Sequence, residues 1–90
     1  MMKEHYLEVT FRHGRPIAAY YYLPRETNQK SVRTRRVEPG LVIDYTAEGQ
    51  AIGIEITAPG KVSLAALNSI LQELGHSPAS EADLAPVLAA

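Results

Sequence analysis

Hydrophobic and polar positions divide the chain into short alternating runs followed by one helical stripe. From Tyr6 to Phe11, Leu7, Val9 and Phe11 lie on one face and Tyr6, Glu8 and Thr10 on the other. That period of two predicts a half-buried strand. His13-Gly14-Arg15-Pro16 is a turn signal, and Ile17 to Leu23 is a second strand, apolar on both faces. For Phe11 and Ile17 to share a face the loop must hold an odd number of residues. A type I turn closed by a glycine bulge at Gly14 meets that requirement. Residues 24–30 read as a polar loop headed by Pro24. Ser31 to Glu38 alternates weakly, with little to bury, and reads as an edge strand or one bent at Pro39-Gly40.

The strongest pattern is Leu41 to Ile56. Leu41, Ile43 and Tyr45 point one way, and Ile52, Ile54 and Ile56 do so on the returning strand. Placing all six on one face requires an even loop. A two-residue loop at Glu48-Gly49 and a four-residue loop over Thr46 to Gly49 both satisfy it, and the register stays open between them. Fully burying an aliphatic side chain contributes about 1.5–3 kcal/mol, so this hairpin is the expected core of the sheet. Ser63 is a good N-cap for a helix through Leu74, with Gly75 as its C′ residue. Leu64, Leu67, Ile70, Leu71 and Leu74 form its apolar stripe, while Asn68, Gln72 and Glu73 lie opposite. Ser80 and Asp83 suggest a capping box and a short terminal helix before Pro86. The expected fold is α+β: an antiparallel meander of four to five strands with a C-terminal helix on one face. Residues 1–76 are expected as the single domain and 77–90 as a C-terminal tail.

Composition narrows the function classes. Ninety residues make one modest core. Hydrophobic content of 46% and charged content of 21% argue against disorder. The absence of cysteine excludes disulfides, thiolate metal sites and cysteine nucleophiles, and favours a cytoplasmic location. No apolar run reaches signal-peptide or membrane-span length, so no membrane association is expected. The net charge of −1 gives no global attraction to nucleic acid.

Glu38-Pro39-Gly40, Asp44-Tyr45, Gly49 and Gly53-Ile54-Glu55-Ile56 together resemble a family of small bacterial proteins, domain-of-unknown-function family 2283. Ala19-Tyr20-Tyr21 matches the family's earlier tyrosine strand. Ile17 stands where members usually carry an aspartate, and Thr46 replaces a second turn aspartate. The resemblance spans roughly residues 17–57. It implies a small antiparallel sheet and no established activity, and an antitoxin role only by association.

Candidate chemistry is sparse. Asp44 and Glu55 face away from the isoleucines and become diagonal neighbours in the two-residue register. They suit a carboxylate pair or a cation site, or simple pairing with Arg33 or Arg35. Arg25, Lys30, Arg33, Arg35 and Arg36 against Glu26 give segment 25–36 a charge of +4, a surface for phosphates or an acidic partner. His5, His13 and His76 lack ligand spacing, and neither a metal nor a cofactor is expected. Tyr6, Tyr20, Tyr22 and Val42 form an apolar patch on the second sheet face. The preferred expectation is a non-enzymatic protein-interaction module. Its partner would be a second copy (a dimer) or another small protein, bound through Tyr20, Tyr22, Arg33, Arg35 and Arg36. A nucleic-acid-binding accessory protein is the alternative, and an enzyme or cation site at Asp44 and Glu55 the weakest reading.

Overall fold

The computed structural model describes residues 5–26, 28–37 and 40–88. Glu38 and Pro39, part of the expected bend, lie outside them. Five strands form one antiparallel sheet: β1 (Tyr6–Arg12), β2 (Arg15–Tyr22), β3 (Arg33–Val37), β4 (Leu41–Tyr45) and β5 (Ala51–Ile56). Two helices follow, α1 (Leu64–Glu73) and α2 (Glu81–Leu88), so the α+β class is as expected. The strand order is β1-β2-β5-β4-β3, which is not a simple meander. The chain crosses from β2 to the far edge and returns through β3, β4 and β5 to close against β2. Burial explains the choice. The isoleucine strand β5 takes the centre, and the arginine strand β3 is left at an edge where its charges stay hydrated.

Both hairpins reach the expected alternation by unexpected turns. In the first, Arg12 pairs with Arg15 across a two-residue turn, with His13 (φ 51°) and Gly14 (φ 75°) both left-handed. That is the pattern of a primed turn rather than a type I turn with a glycine bulge. A register shift follows: Phe11 pairs with Pro16 but Thr10 with Ala18, leaving Ile17 as the extra residue. Phe11 and Ile17 are consequently not opposite each other, and they are 54% and 47% exposed. The β2–β5 pairing starts only at Ala19, so Pro16 lies where no neighbour on that side needs its missing N–H.

In the second hairpin Leu41 pairs with Ile56 and Ile43 with Ile54, the register of a two-residue turn. The connection itself is five residues long, Thr46 to Gln50, and an extra residue at Ile52 restores the parity. Buried Thr46 organises this loop. Its hydroxyl accepts from the Gln50 N–H at 3.1 Å, and its carbonyl accepts from the N–H of Gly49, which sits at φ 89°.

One core joins sheet and helices: Ala19, Tyr21, Leu23, Leu41, Ile43, Ile54 and Ile56 meet Leu67, Ile70, Leu71, Leu84 and Val87. Ile52 is buried but stands outside that cluster. Helix α1 begins as expected, with the Ser63 hydroxyl accepting from the Ala66 N–H at 3.0 Å. It ends with Gly75 left-handed and the His76 N–H donating back to the Leu71 carbonyl, which satisfies carbonyls the helix end leaves free. Asn68, expected to face solvent, instead exchanges two hydrogen bonds with the backbone of Ala79 and pins the approach to α2. The Ser80–Asp83 capping box forms in both directions. Helix α2 runs through Pro86 to Leu88 rather than stopping before it. Burial of Val87 beyond the proline offsets the lost backbone bond. With Leu84 and Val87 fully buried, residues 77–88 form part of the core rather than a tail.

Candidate functional site on the open sheet face

Because α1 and α2 both cover the face bearing Leu41, Ile43, Ile54 and Ile56, neither covers the other face. Cross-strand register defines what that open face carries. One row runs Tyr6, Tyr22, Gly53, Asp44, Thr34 from β1 to β3, and the next runs Glu8, Tyr20, Glu55, Val42, Arg36. The three tyrosines form a continuous cluster. Ring centroids of Tyr20 and Tyr22 lie 4.6 Å apart in a T-shaped contact, and Tyr6 lies 5.6 Å from Tyr22. Tyr6 is 53% exposed.

Asp44 is accounted for here. The Tyr20 hydroxyl donates to Asp44 Oδ2 at 2.6 Å across the intervening strand β5. Burial, followed by that hydrogen bond and the Asp44 charge, raises the Tyr20 hydroxyl well above the ordinary phenol range. The ring can lie across β5 only because Gly53 sits beneath it: a Cβ there would run into the Tyr20 ring and hydroxyl. Gly53, Tyr20 and Asp44 are thus one structural unit. Glu55 is Asp44's diagonal neighbour, exposed between Tyr20 and Val42. Neither carboxylate meets Arg33 or Arg35, and among the described residues no group of three potential metal ligands forms.

The five sequence-predicted contact residues do not share a surface. Tyr20, Tyr22 and Arg36 lie on the open face. Arg33 pairs with Tyr45 and Arg35 with Ile43, so alternation sends both to the helix side. There the Arg33 guanidinium lies 5.5 Å from the Tyr45 ring centre, and Arg35 forms a 2.9 Å ion pair with Glu73 of α1. Arg25, by contrast, reaches the open face, with its guanidinium 5.2 Å over the Tyr22 ring. The basic segment is therefore split between faces, which removes the single cationic surface expected from its charge.

The fold also gathers groups that are distant in sequence. His5 stacks on Tyr21 at 5.3 Å and meets His76 edge-on at 5.5 Å, beside Asp83 in a small cleft. Among the described residues, His5 Nε2 is buried without a hydrogen-bond partner. Burial and the neighbouring His76 lower the His5 imidazole below its ordinary range. Nothing in the spacing of residues 5, 76 and 83 could have shown this, because only the packing of α2 against β1 creates it.

The family model described as Protein of unknown function (DUF2283) matches residues 18–58, from β2 to just past β5. No curated protein and no solved structure matches the chain. The matched segment supplies Tyr20, Asp44, Gly53 and Glu55, the centre of the open face, so what this chain shares with the DUF2283 model is the middle of its sheet.

Proposed function

We propose that this chain is a non-enzymatic protein-interaction module that binds through its open sheet face, with neutralisation of a small toxin-like protein as a specific form. The observation that carries the reading is the contiguous Tyr6–Tyr22–Tyr20 cluster on a face that neither helix covers. A sheet commonly packs one face in a core, and tyrosine-rich, fully formed surfaces are typical of partner contacts because rigid rings lose little entropy on binding. The enzyme reading loses half its basis, since Asp44 is held by Tyr20 as part of the sheet.

Affinity capture with a tagged chain tests this. Wild type and an Arg33→Gln/Arg35→Gln variant should retain the same partner or second copy. A Tyr6→Ser/Tyr22→Ser variant should lose it. Undiminished capture by the tyrosine variant would remove the open face from the interaction.

A further inference from the structure

We infer that the partner inserts a cationic side chain, arginine or lysine, into the centre of the open face, beside Tyr20 and between Glu8 and Glu55. This rests on the open-face reading above and specifies the partner's chemistry. Four observations support it. Glu8, Tyr20 and Glu55 stand side by side on β1, β2 and β5. Strands are about 4.8 Å apart, so the backbone positions of Glu8 and Glu55 flank that of Tyr20 at roughly 10 Å separation. That spacing admits one guanidinium or ammonium group with a carboxylate on either side. Glu55 is exposed, and no hydrogen bond or ion pair engages it among the described residues. The protein itself demonstrates the preference, because Arg25 already places its guanidinium over the adjoining Tyr22 ring. Cations favour the negative face of an aromatic ring, and flanking carboxylates add to that attraction.

Of the face's own arginines, Arg25 is taken up over the Tyr22 ring, and the others stand at its margins. Arg36 lies on edge strand β3, and Arg12 pairs with Arg15 at the end of the first hairpin. A polyanion such as nucleic acid would have to lay phosphates across Glu8, Asp44 and Glu55. A partner presenting a basic residue at its centre and acidic ones around it matches the arrangement instead.

The test is an NMR titration of the full chain with tetra-arginine amide at low salt. Amide resonances of Tyr20, Tyr22 and Glu55 should move, and those of α1 and α2 should not. Glu8→Gln/Glu55→Gln should weaken binding about five- to tenfold, as loss of two exposed ion pairs implies. Arg33→Gln/Arg35→Gln should leave it unchanged. Absence of shifts at millimolar peptide, shifts unaffected by the double glutamine variant, or preference for tetra-glutamate or an oligothymidylate on this face would overturn the inference. The capture experiment separates its failure from that of the broader reading. Partner loss in Tyr6→Ser/Tyr22→Ser alongside an indifferent peptide would discard the cationic partner and keep the interaction face.

Discussion

Tyr20, Asp44 and Gly53 show how a single residue's identity can be set by a neighbour two strands away. The sequence marks Gly53 as a strand glycine, for which a bulge or a close packing point is the ordinary expectation. The bulge instead falls one residue earlier, at Ile52, and Gly53 is small because the Tyr20 ring crosses above it. Gly53→Ala should therefore lower stability by about 1–3 kcal/mol, as overpacking does. Combined with Tyr20→Ala the added cost should shrink well below that. Urea denaturation of both single variants and the double variant reads the coupling, and strict additivity would contradict it. His5 makes a second prediction at this scale. Its folded-state imidazole titrates below the ordinary value near 6.5, so the unfolded chain takes up protons first as pH falls. Stability should be level above about pH 7 and decline as pH drops below about 6.5. His5→Phe should flatten that decline, and thermal melts between pH 7.5 and 5.5 would show whether it does.

At the scale of elements, what could be read from sequence was periodicity, and what could not was how parity is kept. All five strands and α1 fall where alternation or the apolar stripe puts them, while α2 starts at the expected capping box and runs on through Pro86. The turns differ because His13 accepts a left-handed backbone beside Gly14, and because Thr46 closes a five-residue loop with its own side chain. Neither choice alters which residues face the core, so the hydrophobic pattern is silent about both. Arg33 and Arg35 were legible in alternation but not in surroundings, since only the packed α1 gives Arg35 its partner Glu73. Asn68 was misplaced for a related reason. A polar residue on a helix flank looks solvent-facing until the next segment folds back on it. Asn68→Ala leaves the buried Ala79 N–H without its acceptor and should cost about 1–3 kcal/mol. A loss below about 0.5 kcal/mol in chemical denaturation, the usual range for surface substitutions, would mean that the Ala79 contact contributes little.

For the molecule as a whole, the proposed function gives the two faces of the sheet separate tasks. The helix-covered face holds the core, including Leu84 and Val87 from the last helix. Domain stabilities are typically about 5–15 kcal/mol, and emptying one buried leucine position costs about 2–5 kcal/mol. A chain ending at His76 should accordingly lose its cooperative unfolding transition in calorimetry. Retention of a sharp transition would return residues 77–90 to the status of a tail. The open face, by contrast, is held by the Tyr20–Asp44–Gly53 unit and the 3.4 Å hydrogen bond from the Tyr22 hydroxyl to Glu8, and under the proposed function Tyr6, Tyr22, Glu8 and Glu55 are the residues a partner would meet. Side-chain footprinting with hydroxyl radicals, in the cells that make the protein and on the purified chain, tests that division most directly. Tyr6 and Tyr22 should be protected in cells and reactive when purified, with Val32 and Phe11 unchanged between the two. Equal reactivity of Tyr6 and Tyr22 in both settings, with the purified chain kept dilute enough to be monomeric, would contradict the open face as the site of interaction.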